Sequence, residues 1–201
     1  MFRKNIELIF KDDISYQVIS IIAWGVILGV MEILFSDLLA NYRLPYRGII
    51  ITLYMVIALI IAKFYNPQKF SLIYVVLIIV LMKGFWYQSV THPALYAVIV
   101  EGIIAEAIYL VFGIKFSTSL IVGFGLMLYT FLHGWIMHGY FLGSHIFNMY
   151  KFIFKELFPW LNITNDNITI LMIIAAIVHL ILGIIAGFIG WYLVVKIEDI
   201  R

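Results

Sequence analysis

Cysteine is missing from all 201 residues, which excludes disulfides, thiolate metal centres and a cysteine nucleophile and leaves the redox compartment open. Charge is scarce as well: 12% of residues are charged and the formal net charge is +2. No basic run of the kind nucleic acid requires is present. The familiar catalytic signatures are also missing, with no His-Glu-x-x-His helix, no Gly-x-Ser-x-Gly elbow and no glycine-rich phosphate loop following a strand. An enzyme is therefore not expected. There is no internal repeat and no low-complexity tract.

What remains is apolar. Hydrophobic residues make up 65% of the chain and mean hydropathy is +1.09, well above an ordinary soluble domain, so the sequence reads as an integral membrane protein. A span takes about 20 residues, and one all-α bundle of six transmembrane helices uses up the length. The expected spans are 17–40, 48–64, 71–86, 93–113, 117–147 and 168–195, in a single domain over 1–201. The first apolar segment is too long for a signal-peptide core and lacks a cleavage site, so it is expected to be retained. Residues 1–15 mix Phe2, Ile6, Ile9 and Phe10 with charges, as an interfacial helix would, and 148–160 has the same amphipathic character as an outer surface segment. The helix at 48–64, apolar apart from Thr52 and Tyr54, suggests a lipid-facing or scaffold element. At roughly 46 Å the fifth helix outruns the roughly 30 Å of hydrocarbon; it must tilt, break or project, and Gly134, Gly139 and Gly143 make a bend plausible. Asn162 and Asn167 begin Asn-Ile-Thr triplets that read most simply as turn residues.

The stretch 92–106, HPALYAVIVEGIIAE, organises the rest. Proline suits the first helical position, so a helix starts at Pro93 and places Ala94, Ala97, Glu101 and Ala105 on one face. A carboxylate in hydrocarbon is costly enough to face the protein interior or a watery cavity, where it marks a functional path. Glu106 lies roughly 140° from Glu101 around the helix and is expected to do a different job. Glu32 should also face inward, and Lys83 should neutralise Glu101 or Glu32 at the same depth.

Flanking charge sets the orientation. On the N-terminal side stand eight cations (Arg3, Lys4, Lys11, Lys63, Lys69, Lys115, Lys196, Arg201) against four opposite (Arg43, Arg47, Lys151, Lys155). That excess favours cytoplasmic termini in the cell membrane. Glu32, Lys83, Glu101, His138 and His145 then fall in the outer half or at its mouth, above an inner half almost free of ionisable groups and smoothed by glycine and alanine. The result looks like a binding cup.

In such a cup Glu32 and Glu101 would bind cationic or hydrogen-bond-donating groups. Trp86 and Tyr87 would stack on a flat ring, unless they form an interfacial belt. Arg43 or Arg47 would close over the top, with His92 beside the mouth. The five histidines raise a metal or haem reading. His138 and His145 share a helical face but stand about 10 Å apart along the axis, so they cannot clasp one ion without a break. His133 points away and would need another partner such as His179; hydrogen bonding across helices is the plainer role for all four.

Six helices in 201 residues, small residues in the first helix, an outward polar cup and the pattern Pro93-Ala94 with Glu101-Gly102 and Glu106 resemble the S-component of an energy-coupling factor transporter, the substrate-binding membrane subunit. The resemblance implies capture of a vitamin-like or heterocyclic solute from outside for uptake with a transmembrane coupling subunit and a pair of cytoplasmic ATPases. By the same resemblance the loop at 41–47 is a lid, and Ala23, Gly25 and Gly29 form the coupling surface, although their spacing also suits packing inside the bundle. The family's nickel and cobalt members carry a histidine next to the initiator; here residue 2 is Phe, which argues against those metals. No metal and no cofactor are expected. The alternative is a haem- or metal-binding membrane protein using His133, His138, His145 and His179, and a small ion channel is a third reading, which would need polar residues lining both halves.

Overall fold

The computed structural model describes residues 14–42, 47–89, 92–142, 148, 151–152, 155 and 168–199, with backbone alone at 137–142 and 168. Six helices account for nearly all of it: α1 Ile14–Asn41, α2 Arg47–Tyr65, α3 Ser71–Tyr87, α4 Pro93–Phe112, α5 Phe116–Leu142 and α6 Ile168–Asp199. All but α3 carry a window long and apolar enough to cross a membrane, and α3 is a shorter apolar helix. The chain is thus an all-helical, multi-pass membrane bundle. The helices begin and end within a few residues of the expected limits, except that α6 continues to Asp199. Residues 1–13 of the interfacial segment expected at 1–15, most of the amphipathic segment at 148–160 and the extension of the fifth helix past 142 lie outside the described residues, while Ile14 and Ser15 belong to α1.

Local chemistry explains the ends. His92 caps α4, its Nδ1 accepting the Ala94 N–H at 3.3 Å, with Pro93 in the first turn. Gly113 closes α4 at φ 73, a left-handed value that glycine adopts without a Cβ penalty. Helix α3 starts differently: Phe70 sits at φ 65 and offers no side-chain cap. Its first amides find their acceptor on another helix, as described below.

Side-chain contacts fix the packing order. Glycines at 25 and 29 seat α1 parallel to α3 against Ile78 and Met82, Gly102 sets α4 on Val76 of α3, and Ile104 and Ile108 of α4 meet Gly125 of α5. Between α5 and α6 the backbones touch: a Cβ on Gly123 would strike the Gly183 carbonyl, and one on Gly187 would strike that of Ser119. Small residues are the usual means by which membrane helices approach so closely. Gly190 of α6 rests on Ile57 and Ile60 of α2, and Phe35 of α1 stacks on Tyr54 of α2 at 5.3 Å.

The bundle therefore closes as a ring α1–α3–α4–α5–α6–α2, with α2 also reaching α5 through Thr52 and Thr130. Of the two roles expected for α2, lipid-facing or scaffold, it takes the second. Met55, Val56, Leu59, Ile60 and Ala62 are buried and form much of the core with Leu72, Val75, Ile79, Leu126 and Val194, so α2 is the inner helix of the bundle. Large apolar side chains such as Leu81, Phe85 and Val111 instead point outward, where lipid would solvate them.

Candidate functional site

Alternating helix direction gives the bundle two ends. The terminal end holds the start of α1 and the turns at 66–70 and 113–115; the distal end holds the close of α1 and α3 and the start of α2 and α4. Each end contains a buried Lys–Glu pair, and the two pairs are built differently.

At the terminal end Lys63 of α2 meets Glu106 of α4 at 2.7 Å, both nearly inaccessible. The ammonium also donates to the Gln68 carbonyl at 2.8 Å and the Ser71 hydroxyl at 3.2 Å, which uses all of its protons. Glu106 in turn accepts the Phe70 N–H at 2.7 Å and the Leu72 N–H at 3.1 Å. These are the orphan amides that open α3, and a carboxylate is suited to that position by the helix dipole. Glu106 is thus a cap delivered from a neighbouring helix. The pair overturns the expectation of an inner half nearly free of ionisable groups: Lys63 reads in the sequence as a solvated flanking cation, yet the turn at Asn66 and Pro67 folds it back beneath α3.

At the distal end Lys83 of α3 donates to Glu32 Oε1 of α1 at 2.5 Å, with both side chains 1% exposed. Of the two partners expected for Lys83, it takes Glu32. The other oxygen, Glu32 Oε2, is buried without a hydrogen-bond partner, and so is the Tyr54 hydroxyl of α2. The two groups lie within electrostatic reach of each other. Beside them Glu101 of α4, 4% exposed, accepts a hydrogen bond from Thr52 Oγ1 at 2.9 Å. Thr52 is in turn 2.9 Å from Thr130 Oγ1 of α5, whose hydroxyl donates to the Leu126 carbonyl at 3.1 Å. Glu101 lies within the field of both Glu32 and Lys83, so the groups form one cluster drawn from α1 to α5. Among the described residues no cation pairs directly with Glu101.

The remaining expected site residues divide. Tyr87 belongs at the rim of the cluster: its ring stacks on His92 at 4.6 Å and lies 5.8 Å from the Lys83 ammonium. Trp86 does not. It is 60% exposed on the outer surface, where its indole N–H donates to Asp37 Oδ2 at 3.0 Å. With Trp86 outside and Tyr87 already stacked on His92, the expected aromatic platform for a flat ring is not assembled. Arg47 is exposed at the start of α2, while Arg43 and His145 lie outside the described residues, as does the His138 side chain.

One further expectation is corrected. Gly25 and Gly29 are buried against Ile78 and Met82, so they join α1 to α3 and offer no free coupling surface; Ala23 is exposed. His133 bonds the Tyr129 hydroxyl one turn away at 3.2 Å, and His179 donates to the Ala175 carbonyl at 2.7 Å while Phe131 packs edge-on against it. No group of three or more His, Cys, Asp or Glu among the described residues is placed to hold a metal ion. Thr52, Tyr54 and Thr130 are the site residues that sequence reasoning missed. The available signal was Thr52 and Tyr54 standing alone in an otherwise apolar helix.

No protein-family model, curated protein or solved structure matches the chain.

Proposed function

We propose that this protein is a membrane-embedded solute-binding subunit that takes up a small molecule at the distal cluster of Glu32, Tyr54, Lys83 and Glu101. One observation carries the reading: two buried polar atoms, Glu32 Oε2 and the Tyr54 hydroxyl, lack partners beside a carboxyl group that has hydroxyls but no cation. A buried group left unsatisfied costs about 1–3 kcal/mol, and intramembrane ionisable residues are retained where they serve a substrate path. A bound solute would supply the missing partners.

The resemblance to energy-coupling factor S-components gives this binding site a role in import. The solute would enter from outside for uptake driven by a transmembrane coupling subunit and paired cytoplasmic ATPases. The distal end would face outward and both termini the cytoplasm of the cell membrane. With Lys63 withdrawn into an ion pair, the flanking cations still number seven against four, since eight less one leaves seven. The site needs no catalytic chemistry, and the lid role of 41–47 goes with the same resemblance.

The test is mass spectrometry of small molecules released from the purified wild type, from Glu101→Gln and from Trp86→Phe. A solute present in the wild type and Trp86→Phe, and depleted in Glu101→Gln, is the expected result. Equal retention by all three would remove the distal cluster as the site.

A further inference from the structure

Formal charge narrows what the distal cluster can accept. Lys83 and Glu32 cancel each other at 2.5 Å. Lys83 is also the cation whose field reaches Glu101, but its ammonium is committed to Glu32, and Glu101 receives its direct hydrogen bond from the Thr52 hydroxyl, which is itself in contact with Thr130. Tyr129, also in reach of Glu101, contributes a hydroxyl already bonded to His133. Counted with Glu101 ionised, the cluster is one positive charge short. It is short of donors as well, because Glu32 Oε2 is a buried acceptor with nothing to accept from.

We infer, building on the solute-binding reading above, that the bound solute carries a single positive charge on an N–H-bearing group, an ammonium or amidinium that pairs with Glu101 and donates a second hydrogen bond to Glu32 Oε2. Such a group supplies both missing quantities at once. The Tyr54 hydroxyl, which can donate as well as accept, would bond a polar atom next to the cationic centre. An anion would meet two carboxylates against one ammonium. A neutral donor would satisfy Glu32 Oε2 and leave Glu101 without its counter-charge. A bare alkali ion matches the charge but brings no N–H to donate to Glu32 Oε2. Lys83 acts here as a positioning residue, since it neutralises Glu32 and so sets the charge of the solute at one.

The experiment uses the full chain in detergent and four probes at equal concentration and ionic strength: benzylammonium, benzyl alcohol, benzoate and sodium. Thermal stability and calorimetric titration are the readouts. Benzylammonium is expected to raise the unfolding temperature of the wild type while the other three do not, and Glu101→Gln is expected to weaken its binding at least about 30-fold, as removal of one partner of a buried charge pair does. Should Glu101→Gln fail to fold, Thr52→Val, which keeps the carboxyl but removes its hydrogen-bond donor, should weaken benzylammonium binding in the same direction. Equal shifts from all probes, a preference for benzoate or sodium, no response to benzylammonium, or an unchanged benzylammonium affinity in both variants would overturn the inference. Solutes released from the wild type keep this failure separate from failure of the function. If a neutral or anionic molecule is retained, solute binding stands and the cationic assignment falls; if nothing is retained and no probe binds, both fall.

Discussion

The two buried Lys–Glu pairs have the same composition and similar burial, yet they differ in how completely they are satisfied. Around Lys63 and Glu106 every ammonium proton has an acceptor, and the carboxylate holds two amides of α3 besides the lysine. Around Lys83 and Glu32 one carboxylate oxygen and a nearby tyrosine hydroxyl are left over, and a second carboxyl group stands beside them. Saturation marks a lock that holds α2, α3 and α4 together. Unused capacity on the ion pair itself marks a place built for something else; the buried oxygens left over at the terminal end, Asn66 Oδ1 and Gln68 Oε1, belong to the adjoining turn and not to the Lys63–Glu106 pair. Within the distal cluster Thr52 of α2 supplies a hydrogen bond to Glu101, and the glycine contacts of α1 with α3 and α5 with α6 hold the surrounding walls close.

The largest effect should come from breaking the lock on one side. Lys63→Met or Glu106→Leu strands a buried charge, which typically costs about 3–5 kcal/mol, and Glu106→Leu also strips two amides of their acceptor; both should lower the unfolding temperature sharply in detergent. Replacing both partners, Lys63→Met with Glu106→Leu, should recover the part due to the unpaired charge, leaving the cost of the two α3 amides and of the Gln68 carbonyl that lose their partners, about 1–3 kcal/mol each. A glycine contact ranks next: Gly183→Val would drive its side chain into the Gly123 carbonyl, and α5 and α6 must separate, which should cost about 1–3 kcal/mol by analogy with overpacked cores. Tyr54→Phe should change stability by less than about 1 kcal/mol, because the hydroxyl it removes has no partner to lose, while weakening solute binding measurably by titration. The smallest effect belongs to Trp86→Phe, whose exposed hydrogen bond to Asp37 should contribute under about 0.5 kcal/mol, within the range of surface substitutions.

The helices were legible because uninterrupted apolar runs of membrane length permit few alternatives, and His92-Pro93, Asn66-Pro67 and Gly113 mark ends that need no tertiary information. The separation of Glu101 from Glu106 was legible too, since helical rotation alone sends them to different neighbours. Which neighbours was not. Lys63 sits in the last turn of α2, where a lysine ordinarily reaches solvent, and only the fold of the 66–70 turn makes it internal. The glycines of α1 presented the same ambiguity, because a small-residue stripe looks identical whether it packs against a helix of its own chain or of another. Trp86 and Tyr87 are adjacent in sequence but point to opposite sides of the bundle wall, one toward Asp37 outside and the other toward His92 and Lys83. Adjacent residues on a helix diverge by about 100°, so the two rings do not face one platform.

The difference between the two ends comes down to a paired measurement on Glu101→Gln and Glu106→Gln, each assayed for unfolding temperature and for retained solute. Glu101→Gln should melt close to the wild type and lose the solute, while Glu106→Gln should melt far lower yet bind normally in its folded fraction. The reverse pattern, with Glu106→Gln losing the solute at full stability and Glu101→Gln retaining it, would contradict the assignment of structure to one end and binding to the other.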